Sequence, residues 1–259
     1  MYNKKAADNN GISTMDTMRN IPLDTYQSEN GYEAETNTAV MYKTAATINR
    51  KMFIGNLKIG GKTYPDRMIE APVYRFDTFP DDGLHYIDVA VGDGDEIVKL
   101  EALGDKLIQF KKKHAYAIQV SSEGVELLHT WTHSGIKMPC QSVVAKGSVI
   151  WVNDNGLYVY DGEKLNYVTA DRFTSENWSI NESEDNPVII GYDEQSDKIL
   201  IQTTNTSASD NGGFIYDLKT DSIVQCQNLF NWYVADEAAS PDKVGPPLAV
   251  VGSGTGPII

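Results

Sequence analysis

Three consecutive lysines, Lys111-Lys112-Lys113, stand inside "GDKLIQFKKKHAYAIQV" (104–120) of a 259-residue chain whose formal net charge is −14. Adjacent ammonium groups suit a phosphate backbone, so this run is the first candidate for a nucleic-acid contact. Its neighbours argue for something plainer. "KLIQF" precedes it and "AYAIQV" follows it, both apolar-rich. That pattern puts the lysines at the polar tip of a β-hairpin, where solvated cations keep strands from pairing with foreign edges.

Other residues have the types that chemistry needs but lack the spacing. "GDGDE" (92–96) gathers Asp93, Asp95 and Glu96 in one turn. A calcium loop of the EF-hand kind spreads its ligands over about twelve residues ending in Glu, so this run reads as an acidic turn. "HTWTH" places His129 and His133 four apart. On a helix that pair could ligate zinc. Thr and Trp between them favour a strand, where the two rings would be about 13 Å apart, too far for one ion. They read as structural histidines. Cys140 and Cys226 are the only two cysteines. They allow one disulfide, but the reading adopted is two buried thiols in a reducing compartment. There is no G-x-S-x-G, no P-loop, and no G-x-G-x-x-G between a strand and a helix. "GSGTG" (252–256) has no helix behind it. No catalytic, metal-binding or cofactor-binding residue is therefore assigned, and no cofactor is expected.

The charge balance, 36 acidic against 22 basic residues, argues against a general nucleic-acid binder and against docking on an anionic membrane. No apolar run approaches the roughly 18 residues of a membrane helix, and the first residues lack the apolar core of a secretory signal.

The elements that must position these residues are short and strand-like. Residues 1–40 are polar and poorly periodic, an expected extended arm. Residues 41–235 carry recurring apolar runs bounded by turns, and 236–259 form a Pro- and Gly-rich tail. "AATINRKMFIGNLKIGGKTYPDRMIEAPV" reads as strand, turn, strand around Gly60-Gly61. Further strands are expected at "HYIDVAV", "IVKLEAL", "VIWV", "LYVY" and "LNYVT". Asn155-Gly156 and Asp161-Gly162 are turn signals, and hairpins are expected over 187–204 and 212–228. Helical periodicity is nearly absent. The segment 171–185 holds at most one or two turns, with Thr174 and Ser175 as caps.

One theme repeats: "VYDGEKLNYV", "GYDEQSDKILIQ" and "IYDLKTDSIVQ" each run Tyr-Asp, a polar turn, then an apolar strand. Tyr should end a strand with its ring on the core and its hydroxyl toward solvent. Asp should close the turn by accepting a backbone N–H about two residues on. Hairpins in series cannot be stable alone and must stack. The fold expected is all-β, a β-propeller-like array of antiparallel meander blades, with a β-sandwich as the alternative.

"PDRMIEAPVYRFDTFP", "YIDVAVGDGDEIVKLEALGDKLIQFKKKHAYAIQV" and "SVIWVNDNGLYVYDG" together resemble the β-propeller tail-nozzle, or tail tubular, virion proteins of short-tailed bacteriophages. The resemblance is good over about 65–165 and looser to about 230, and it rests on strand-and-turn patterns such as the Phe79-Pro80 turn. It implies a structural, non-enzymatic part of a phage tail, made in the bacterial cytoplasm and built into the virion. Its partners would be further copies in a ring and other tail proteins such as adaptor and fibres. DNA would pass without specific binding, and the Lys111–Lys113 tip could meet an acidic surface of a neighbouring subunit. The alternative is a carbohydrate-binding or glycan-cleaving propeller, which needs aromatic and carboxylate side chains converging in one pocket.

Overall fold

The structure, a computed structural model, describes residues 40–227 apart from 81–82, 91, 123, 175–176, 179, 181–187 and 204–211. Of the expected arm only Val40 is described, as the first residue of a strand, and the 236–259 tail lies outside the described residues. Among the described residues, sixteen strands form four sheets of four. The first sheet is β1 (Val40–Ile48), β2 (Lys51–Ile59), β3 (Lys62–Glu70) and β4 (Tyr86–Asp88). The second is β5 (Ile97–Leu103), β6 (Lys106–Lys111), β7 (His114–Val120) and β8 (Val125–Thr132). The third is β9 (Ser142–Ala145), β10 (Ser148–Val152), β11 (Leu157–Tyr160) and β12 (Leu165–Tyr167). The fourth is β13 (Val188–Asp193), β14 (Lys198–Thr203), β15 (Gly212–Asp217) and β16 (Ser222–Gln227).

Within every sheet the strands lie side by side in chain order, so each sheet is an antiparallel meander. The described chain is all-β, and each four-stranded meander has the strand order of a propeller blade. A sandwich would need Greek-key crossovers, and neighbouring strands in these sheets are always consecutive.

The first sheet holds one more strand than "strand, turn, strand" supplied. Asn49 and Arg50 make a tight turn with φ of +48° and +64°, pairing Ile48 with Lys51. Asn tolerates this left-handed backbone but Arg gives no such signal, so the turn was hidden. Gly60-Gly61 turns as expected, with Ile59 opposite Lys62. The strand expected at 85–91 is only three residues long, Tyr86–Asp88.

The described chain divides into two compact units, with the boundary passing through the second sheet. One comprises residues up to Leu107 together with Ile118–Leu127; the other comprises Ile108–Ala117 with the residues from Leu128 on. The first unit has a core of Ile54, Leu57, Ile69, Ala71 and Phe79. In the second, Ile150, Val152 and Leu157 pack with Val188, Ile199, Ile201, Trp178 and Phe214. Burying each such large side chain contributes about 1.5–3 kcal/mol, which is what makes marginal hairpins adhere.

Candidate functional site

The lysine run divides. Lys112 and Lys113 form the exposed turn between β6 and β7, but Lys111 is the last residue of β6 and is fully buried. The solvated-tip reading is thus corrected at Lys111. The cause is the segment that follows β8. Ile136 donates its N–H to the Lys111 carbonyl at 3.0 Å, and Gly135 donates to Lys113 at 3.3 Å. Ser134, Gly135 and Ile136 are themselves buried, so they cover the end of the hairpin. A Cβ on Gly135 would lie 2.3 Å from the Lys111 carbonyl oxygen, so the close approach needs glycine. The Lys111 ammonium sits 5.6 Å from the centre of the Tyr116 ring, a cation–π contact. Two residues earlier, Gln109 is fully buried and its amide makes no hydrogen bond among the described residues.

The acidic turn is closed by its own side chains. Asp93 accepts the Asp95 N–H at 2.9 Å, and Asp95 accepts the Glu96 N–H at 3.0 Å. Glu96 takes Lys43 at 2.8 Å and the Asn56 amide at 3.0 Å. Asn56 stands at a bulge in β2 with φ +57°, which also aims its amide at the Ile97 carbonyl, 2.9 Å away. His129 lies on β8, stacked on Trp131 with centroids 5.8 Å apart, while His133 follows the strand and lends its carbonyl to Asn153 and Asn155. Neither cysteine is in a disulfide. Cys226 is buried, which raises its thiol pKa; Cys140 is only half-buried, with its thiol 3.5 Å from the Val188 carbonyl.

The Tyr-Asp theme is built as a turn-closing device. Asp161 accepts N–H groups from Glu163 at 2.8 Å and Lys164 at 2.7 Å. Asp193 accepts from Gln195 at 3.0 Å, and Asp217 accepts from Lys219 at 2.8 Å and Thr220 at 3.1 Å. These N–H bonds hold all three carboxyls below the usual range, joined at Asp193 by the Ser196 hydroxyl as the largest cause. The tyrosines differ from expectation. Their hydroxyls turn into the loops rather than to solvent: Tyr160 donates to the Gly162 carbonyl at 2.8 Å, Tyr192 to Asp197 at 2.9 Å, and Tyr216 to Asp221 at 2.8 Å. A buried or half-buried phenol keeps a partner, and here the partner is local. Asp197 and Asp221 both have left-handed φ, +57° and +53°, as the last residue of a four-residue loop. The second Asp, five residues after Tyr in "YDEQSD" and "YDLKTD", is a signal the sequence contains and the reading of it missed. Arg172 clamps Asp221 through both its carbonyl and its carboxylate.

Asn155-Gly156 does not make a two-residue turn. The loop spans 153–156, and the Asn153 side-chain oxygen accepts N–H groups from Asn155 at 2.9 Å and Gly156 at 3.1 Å. The Asn153 amide bonds back to the Gly135 carbonyl at 2.9 Å. Of the two expected caps, Thr174 accepts the Asn177 N–H at 3.3 Å in a single turn, and Ser175 lies outside the described residues.

Aromatic residues run across the third sheet. Trp151 stacks on Tyr158 at 5.4 Å and Tyr158 on Tyr167 at 4.8 Å, each pair being direct cross-strand partners. Trp131 meets Tyr160 edge-on at 4.8 Å. Burial, foremost, pushes the Tyr158 phenol up to about 12, so it stays protonated. At the end of the ladder is a cleft of about 290 Å³ bordered by Asp154, Asn155, Tyr167, Thr169, Phe173 and Trp178. It brings aromatic rings and a carboxylate together.

No protein-family model matches the chain, and no curated protein matches it. Among solved structures, the chain is similar to a quinonprotein alcohol dehydrogenase-like protein from Bacteroides thetaiotaomicron, at 11% identity and a TM-score of 0.39. The match covers 72% of this chain and 46% of that one, so the chain spans less than half of its length.

Proposed function

We propose that this chain is a structural component of the tail of a short-tailed phage, of the nozzle or tail tubular kind, assembling through protein–protein contacts around the path of the DNA. Strand β8 carries the reading. It is an edge strand, and residues 126–130 are all exposed, among them Leu127 and Leu128 at 47% and 36%. An exposed edge with adjacent leucines invites pairing with another chain unless one covers it. The acidic excess supports the same reading, because an acidic wall repels phosphates and lets DNA pass without sticking. On this reading the chain makes and breaks no bond, uses no cofactor, touches no membrane, and has further copies, adaptor and fibre proteins as partners.

Mass photometry of the native complex containing this chain tests it. The expected outcome is a closed ring of copies, which Leu127→Asp combined with Leu128→Asp reduces to smaller species. A monomer without partners overturns the reading.

A further inference from the structure

We propose that the cleft beside β12 binds a single neutral sugar ring, a role additional to assembly. Its platform is Tyr167, which is 40% exposed. Three contacts hold that ring: it stacks on Tyr158 with planes 14° apart, its hydroxyl donates to the Asn155 carbonyl, and its Cε2 and Cζ atoms lie close to Gly156. A Cβ at Gly156 would fall 2.1 Å from the ring and 2.2 Å from the Thr169 hydroxyl. The ring is thus fixed before any ligand arrives, which lowers the ordering cost of binding.

Polar groups border the platform. The Asp154 carboxylate is half exposed and pairs loosely with Lys137 at 3.4 Å. The Thr169 hydroxyl oxygen accepts the Leu157 N–H at 3.1 Å and retains its O–H for donation. A flat aromatic face with acceptors at its rim matches a sugar, which is apolar on its C–H face and hydroxylated at its edge. Size and charge narrow the choice. The volume, about 290 Å³, lies at the bottom of the range of ligand sites, room for one ring and not a long glycan. A nucleotide could stack on the same tyrosine, but Asp154 and the net charge of −14 oppose its phosphate. Asp154 is the one carboxylate bordering the cleft among the described residues, and glycoside hydrolysis by the usual route needs two. The site binds and does not cleave.

The full chain is titrated separately with glucose, galactose and N-acetylglucosamine, followed by saturation-transfer NMR and by tryptophan and tyrosine fluorescence. The expected result is millimolar binding of at least one sugar, with transfer strongest to the C–H groups of one sugar face. Tyr167→Leu weakens binding roughly three- to tenfold, and Asp154→Ala also weakens it, whereas Lys58→Ala, on the first sheet, does not. Should Tyr167→Leu fail to fold by circular dichroism, Asp154→Ala decides alone. No saturable binding of any of the three sugars overturns the proposal. So does binding that ignores Asp154→Ala, or tighter binding of thymidine monophosphate. None of these outcomes depends on whether the chain forms a ring.

Discussion

Asp197 is nearly buried, yet it stays ionised. Lys146, foremost, reaches it at 2.6 Å and Lys219 at 2.8 Å, and the Tyr192 hydroxyl adds a third bond. These partners hold its carboxyl well below the usual carboxylate range. Because the folded-state pKa is depressed, the stabilisation is full above the unfolded value of about 3.9 and is lost as pH falls through the folded value. Asp197→Asn is therefore expected to lower the melting temperature at neutral pH, with the gap to the native chain closing as pH drops below about 4. Thermal unfolding across pH checks this; a gap that stays constant means the charge is not the cause. At this scale the sequence was half legible. The first Asp of each repeat could be assigned, because turn closure is local. The lysine that Asp197 draws from the β9–β10 turn is some fifty residues away, and no local pattern announces it.

At the scale of elements, the turns decide which strands meet, and glycine decides where backbones can touch. Gly135 lies against the Lys111–Lys113 backbone, where a Cβ has no room and the neighbour is not a flexible side chain. Gly135→Ala is expected to cost about 1–3 kcal/mol in chemical unfolding. Gly191, inside β13, has nothing within 4 Å of its Cβ position. Gly191→Ala is the control, expected to be neutral or to gain up to about 1 kcal/mol, since glycine weakens a strand interior. Equal losses at both positions would refute the close-approach account. The strands "IVKLEAL" and "LYVY" were readable to the residue, because each is a run of strand formers between strong turn signals. The Asn49-Arg50 turn and β9 were not, since the first lacks glycine and the second, "SVVA", holds only two strand formers, Val143 and Val144.

For the whole molecule, charge sets behaviour toward polyanions more than any one patch does. Lys112 and Lys113 are exposed at the β6–β7 turn, but they stand against a net charge of −14. With Lys111 buried, the run presents two cations and not three. Duplex DNA is expected to show no mobility shift with this chain at about 0.15 M salt, where the Debye length is about 8 Å. A shift that disappears in Lys112→Ala, Lys113→Ala would reverse the conclusion and make the turn a nucleic-acid contact.

The amino-acid sequence by itself determined the class of fold, the sheet-forming runs, the Asp-closed turns and the acidic surface. Strand alternation, turn chemistry and net charge act within a few residues or are simple sums, so they can be read in one dimension. Only the tertiary structure decided that Lys111 is buried while its two neighbours are not, because the segment covering it arrives more than twenty positions later. Only the tertiary structure brought Asp154, Tyr167, Phe173 and Trp178 to one cleft. Such convergence depends on how loops from separate elements pack, and nothing in the spacing of those residues encodes it.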